Sequence, residues 1–152
     1  MREEYKKLIE EAGQRVYAVA RKTSLDYAYG LSGRYANHIR LKREDQQPVF
    51  SFKLRGAFNL MATLTDDQKQ QGVIAASAGN HAQGVALAAQ KLGIRATIVM
   101  PKTTPEIKIT AVRHLQAEVI LHGNTYDESC EQALKLAKER GIPFIPPYDH
   151  PL

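Results

Sequence analysis

The sequence predicts an α/β fold: an open, mostly parallel sheet with helices on both faces. Three observations carry that expectation. Short, continuously apolar stretches ("GVIAAS", "ATIVM", "AEVIL" and "IPFI") recur between residues 72 and 145. A single stretch with helical spacing separates each from the next, and each such stretch opens on a capping residue or ends on glycine. Strands buried on both faces lose the alternation of half-exposed strands, as parallel strands under crossover helices do.

The elements follow in chain order. Residues 2–22 place Tyr5, Leu8, Ile9, Ala12, Val16 and Val19 at helical spacing. "TSLDYAYGLSGRY" reads as a loop with a short helix, and "HIRLKRE" alternates at Ile39 and Leu41 as a strand does. After Pro48, "SFKLRGAFNLMATL" reads as a helix beginning near Ser51. "TDDQ" has the spacing of a capping box, in which the first and fourth side chains bond each other's backbone N–H, and opens a short helix. "GVIAAS" is a strand, and "GNHAQGVALAAQKLG" is a helix ended by Gly93. "ATIVM" is a strand, after which Thr104 caps a helix with Pro105 at its first position. "AEVIL" is a strand, "TYDE" is a second capping box, its helix runs to Gly141, and "IPFI" is a last short strand.

The bulk numbers bound the function. The chain has 152 residues, 43% hydrophobic and 24% charged, which suits one soluble globular domain. No apolar run approaches the length that crosses a bilayer, so no membrane partner is expected. The first stretch is charged and periodic, unlike a signal peptide, so the cytoplasm is the expected compartment. The net charge of +5 is scattered among acids, without an aromatic-interleaved basic tract, so no nucleic-acid partner is expected either. The single Cys130 excludes an internal disulfide, and the five histidines show no ligand spacing, so no metal is expected.

Two stretches can carry chemistry. In "VIAASAGNHAQGVA", Ser77, Gly79 and Asn80 form a strand-to-helix turn whose free backbone N–H groups favour an anion such as a carboxylate. Gly79 and Gly84 allow close backbone approach; the alternative is a plain structural turn. In "SFKLRGA", Lys53 follows Phe52 directly. A lysine in apolar surroundings can free its amine for Schiff-base formation with an aldehyde, while a surface lysine laying its stem along Phe52 is the alternative.

Taken together and in order, "LKREDQQPVFSFKLRGAFNLMATLT" and "GVIAASAGNHAQGVALAAQKLG" resemble the pyridoxal-phosphate enzymes of fold type II. Within them the chain is most similar to the biosynthetic threonine ammonia-lyases, also called threonine deaminases or dehydratases. The similarity continues through "ATIVMPKTTPEIKITAVRHLQAEVILHG" to "PPYDHPL". It implies pyridoxal 5'-phosphate as cofactor and Lys53 as the residue that condenses with its aldehyde and later moves the substrate's α-proton. It implies that Phe52 packs on the cofactor ring, that Asn80 bonds the ring's 3-hydroxyl, and that Ser77, Gly79, Asn80 and His81 belong to the loop holding the substrate carboxylate. The implied reaction takes threonine, and serine less readily, to a 2-oxo acid and ammonia; with threonine it opens isoleucine biosynthesis. A homo-oligomer is the implied state of the full-length enzyme.

Two departures qualify the resemblance. Thr23-Ser24-Leu25 stands where the family has Thr-Pro-Leu. The sequence also ends at Leu152, before the family's glycine-rich phosphate loop, and Gly30 and Gly33 make no such cradle. The expectation is therefore an N-terminal fragment: residues 1–45 belong partly to a large domain, and residues 46–152 form the small cofactor-binding subdomain. Arg55 and the "KRED" charges read as solvated or paired structural groups, and Cys130 as a packing residue. A serine dehydratase or serine racemase of the same fold, and a non-catalytic module, are the competing classes.

Overall fold

The computed structural model describes residues 2–150. The charged N-terminal stretch forms α1 (Arg2–Val16), shorter than its apolar spacing predicts. The chain then tightens into turns, with the N–H of Ala18 on the carbonyl of Arg15 and that of Ala20 on Val16. Among the described residues of this stretch only Val16 and Ala20 are buried, so little packing holds a longer helix in place.

Next comes a small antiparallel ribbon, β1 (Leu25–Tyr27) against β2 (Arg40–Lys42), with α2 (Tyr29–Arg34) between them. β1 falls where the sequence predicts a loop. Leu25 and Asp26 are both exposed, so no alternation marks the strand. A 3-10 turn at Glu44–Gln46 leads to α3 (Lys53–Ala62) and α4 (Asp66–Gln71).

The regular part then begins: β3 (Val73–Ala76), α5 (Asn80–Leu92), β4 (Ala96–Met100), α6 (Glu106–His114), β5 (Glu118–Leu121) and α7 (Tyr126–Arg140). Both capping boxes form, Thr65 with Gln68 on α4 and Thr125 with Glu128 on α7. α5 and α7 end on glycines in the left-handed region, Gly93 at φ 68° and Gly141 at φ 65°. The start of α6 differs from expectation. Pro105 occupies the cap position, and Thr104 is drawn into the turn that its N–H makes to Pro101. Its buried hydroxyl has no hydrogen-bond partner among the described residues.

β3, β4 and β5 lie parallel in that order, with Ile74 opposite Thr97 and Ile98 opposite Val119. "IPFI" adds a single bridge rather than a strand, on the free side of β3. The N–H of Ile74 donates to Pro143 and that of Ile145 to Ile74. Pro143 has no N–H to extend the ladder.

The pleat sorts the strand residues between two cores. Val73, Ala75, Ala96, Ile98 and Met100 face α3, α5 and α6, together with Leu54, Phe58, Met61 and Val85. Ile74, Ala76 and Val99 face Ala133 and Ala137 of α7. Helices therefore cover both faces, as expected. Complete burial of a side chain such as Leu54 or Ile98 contributes about 1.5–3 kcal/mol, so these layers dominate the stability. One consequence positions the site. α5 leaves the end of β3 over one face, while α7 delivers residues 143–145 to the neighbouring position from the other. The crevice between such diverging connections, at the carboxyl ends of the strands, is where ligands bind in open α/β sheets.

Candidate active site

Lys53 opens α3, and the preceding turn is heavily tied. Gln47 is buried, and its side-chain amide both accepts the N–H of Arg21 and donates to the carbonyl of Arg21, each at 2.9 Å. Phe50 takes φ 55°, a conformation costly for a side chain of its size, and its N–H closes the turn on Gln47. The hydroxyl of Ser51 accepts the N–H of Lys53 at 3.2 Å.

Two residues further into α3, Arg55 grips both oxygens of Glu44 at 2.8 and 2.9 Å, and the hydroxyl of Thr23 donates to the same carboxylate at 2.6 Å. The guanidinium also lies over the Tyr17 ring, 5.4 Å from its centre. Hydrogen bonds from Arg55, then Thr23 and Gln47, hold the Glu44 carboxyl down at about 2 against the opposing effect of burial. Three of the "KRED" charges are thus paired: Glu44 anchors α3, while Arg43 bonds Asp45 and Asp26 at the surface; the amine of Lys42 donates to the carbonyl of Thr23.

The amine of Lys53 donates to the carbonyl of Pro147 at 2.6 Å. It lies 4.7 Å from the centre of the Tyr148 ring and 5.4 Å from that of Phe52. These residues line a cleft of about 200 Å³ that His81, Gly56 and the segment from Ile145 to His150 complete. His81 is buried, and its Nε2–H donates to the carbonyl of Ile145 at 3.0 Å. Burial pushes its imidazole below the ordinary value and the nearby Lys53 charge adds to this, with the Ile145 bond opposing.

Gly84 fixes where α5 lies. A Cβ there would sit 3.0 Å from the carbonyl carbon of Lys53 and 3.1 Å from the nitrogen of Leu54. The head of α5 is four residues earlier, about 6 Å along its axis from that contact. Gly79 precedes α5 without any side-chain cap among the described residues. Among the described residues the hydroxyl of Ser77 accepts only the N–H of Gly79, at 3.1 Å, and Asn80 is exposed. A Cβ at Gly79 would meet nothing within 4 Å, so of the two glycines only Gly84 is required by protein packing.

The structure thus gathers Phe52, Lys53 and His81 on one cleft. It places Ser77, Gly79 and Asn80 at the uncapped helix head beside it. Pro147 and Tyr148 join the site without a role read from the sequence; their one local signal is the double proline, which stiffens the chain and removes two N–H donors. A larger groove of about 570 Å³ lies at the opposite, amino ends of the strands. Its Glu118 is already engaged by Thr97 at 2.8 Å and Arg140 at 3.8 Å, so it offers no comparable chemistry.

An amine, an exposed ring face beside it and free helix N–H groups nearby form a donor set suited to a planar aldehyde and an anionic group. The family model for pyridoxal-phosphate dependent enzymes matches residues 16–152. The chain is 54% identical over 149 residues to the biosynthetic L-threonine dehydratase of Haemophilus influenzae, spanning 98% of this chain and 29% of that protein. The processed form of threonine deaminase isoform 2 from Solanum lycopersicum superposes with a TM-score of 0.91 at 50% identity, over 98% of this chain and 41% of that one. Maize serine racemase superposes with a TM-score of 0.86 at 30% identity, over 93% of this chain and 43% of that one. The chain spans roughly a quarter of the length of the curated relatives it matches.

Proposed function

We propose that this chain, which belongs to the pyridoxal-phosphate dependent enzyme family, forms the lysine-bearing part of a threonine ammonia-lyase. The reaction converts L-threonine to 2-oxobutanoate and ammonia. The observation that carries this reading is the Lys53 amine on the cleft wall, with the Phe52 ring beside it and the uncapped head of α5 nearby.

Bound pyridoxal phosphate supplies an aldehyde for the lysine and an electron-accepting ring for charge released at the amino acid's Cα. The chain's own residues do the rest. Lys53 tethers the cofactor and then, as a free amine near Cα, takes the α-proton at Nζ. Phe52 offers a flat apolar cover for one ring face. The first N–H groups of α5 hold the substrate carboxylate, helped by the positive end of the helix dipole. Ser77 and Gly79 shape that turn, and Asn80 orients a ring oxygen. His81 supports the site by holding the Ile145 segment through its Nε2–H.

Threonine is favoured over serine as the substrate in this reading, supported by 50% identity to a superposed threonine deaminase against 30% to a superposed serine racemase. Residues 46–152 then belong to the small cofactor-binding subdomain, and residues 1–45 partly to the large one. The ribbon of β1 and β2, separate from the parallel sheet, supports that division. Exposed Tyr5, Ile9 and Leu25 give a homo-oligomer of the longer enzyme apolar surface to bury. The cytoplasm is the compartment we assign.

The test is Lys53→Ala in the full-length enzyme that carries this segment. Turnover of threonine should fall by at least about 10²–10⁴-fold, the range for losing a positioned base, while circular dichroism stays unchanged. Normal 2-oxobutanoate formation in that variant would remove Lys53 from the chemistry.

A further inference from the structure

The amine of Lys53 is engaged from three sides: by the carbonyl of Pro147 and by the rings of Phe52 and Tyr148. A carbonyl oxygen only accepts, and an aromatic face carries the negative part of its quadrupole. All three partners therefore attract a proton-bearing, positively charged nitrogen, and none donates to a lone pair.

Tyr148 is placed by the chain that carries it, since its side chain is 71% exposed. Ile145, by contrast, is buried; its N–H bonds Ile74 and its carbonyl accepts from His81. Pro146 and Pro147 follow, each with a locked φ. The result is a stiff arm running from the sheet edge to the lysine, with Tyr148 at its tip. Asp149 and His150 line the same cleft just beyond it.

We infer that Tyr148 is a positioning residue for Lys53. With the Pro147 carbonyl it forms a clasp that fixes Nζ at the mouth of the cleft and must open before the amine can attack an aldehyde. This deepens the reading of Lys53 as the cofactor lysine and rests on it. The clasp selects among aldehydes: one that brings its own ring and anionic group can replace the contacts it breaks, and a bare small aldehyde cannot.

The test reads the clasp without any cofactor. The full chain is dialysed against hydroxylamine to strip carried aldehyde. It is then reductively methylated at neutral pH with formaldehyde and cyanoborohydride. The rate at Lys53, mapped by mass spectrometry, is divided by the rates at the exposed Lys7 and Lys135. Tyr148→Ala should raise that ratio about two- to fivefold, the expected effect of losing one exposed cation–π contact. Tyr148→Phe, which keeps the ring face, should restore the original ratio; rescue by the ring alone is not a property of general loosening. An unchanged ratio in Tyr148→Ala, or a Tyr148→Phe variant that behaves like it, overturns the proposal. Turnover by Lys53→Ala and methylation at Lys53 are separate readouts, so the cofactor-lysine reading and the clasp can each fail alone.

Discussion

Two helices start at the same end of the sheet and are finished differently. α7 follows β5 and fills its own head. The Thr125 hydroxyl accepts the N–H of Glu128 at 3.3 Å, and the Glu128 carboxylate accepts the N–H groups of Asn124 and Thr125 at 2.6 and 3.0 Å. Those backbone donors hold the Glu128 carboxyl below its ordinary value. α5 follows β3 and has Gly79 where α7 has Thr125. A good cap is worth about 1 kcal/mol, so a long buried helix that goes without one leaves its donors to something else. α7 meets donors at its head with its own side chains, whereas α5 leaves its head without a side-chain cap.

The largest expected effect attacks the seat of α5. Gly84→Val pushes side-chain atoms into the backbone of Lys53 and Leu54, which cannot yield cheaply. Replacing a helical glycine normally stabilises. Here denaturant unfolding should show a loss of about 1–3 kcal/mol, the usual cost of overpacking. A gain in stability would detach α5 from α3 and dissolve the comparison.

A middle-sized effect extends the comparison to α3, which relies on a carboxylate from outside the helix. The folded-state value of Glu44 is lowered to about 2 from the ordinary 4.5, so its stabilising contribution is whole above the latter. It is lost as pH falls between the two, when the carboxylate gripped by Arg55 takes up a proton. Glu44→Gln should cost about 1–2 kcal/mol at neutral pH and flatten acid unfolding across that window. An acid profile identical to the parent's would remove Glu44 as the anchor.

The smallest effect exchanges the two heads. Thr125→Ala should lower stability by about 1 kcal/mol. Gly79→Asp, for which the space is open, should change stability by only a few tenths of a kcal/mol while its carboxylate competes for the N–H groups of α5. In the full-length enzyme, turnover should survive the first change and drop in the second. Equal turnover in both would make the heads equivalent.

Much of this was legible because its causes are local. Thr65 with Gln68 and Thr125 with Glu128 announce helix starts three residues apart, and Gly93 and Gly141 announce the ends. Apolar runs mark β3 and β4, which are buried throughout, while β5 opens on Glu118 and is only half-buried. Where tertiary forces decide, local pattern and structure part. Val19 keeps helical spacing, yet α1 stops at Val16 with little behind it to pack on. β1 exists through its pairing with β2, which leaves no local pattern. Thr104 looks like a cap, but the turn at Pro101 takes it inward. Lys53, Phe52 and the head of α5 were named from short motifs, whereas Pro147 and Tyr148 reach the lysine only through the complete sheet.

The bond from Lys53 to Pro147 joins residues 94 positions apart, and that separation sets a schedule. A ribosome adding about 5–20 residues per second needs about 5–20 s to make the second partner after the first. For that interval the amine exists on a nascent chain without its arm, open to whatever aldehydes surround it. The clasp closes only after α7 has been made and residues 143–145 have taken their place beside β3. The earliest part of the site to be synthesised is therefore the last to be sheltered.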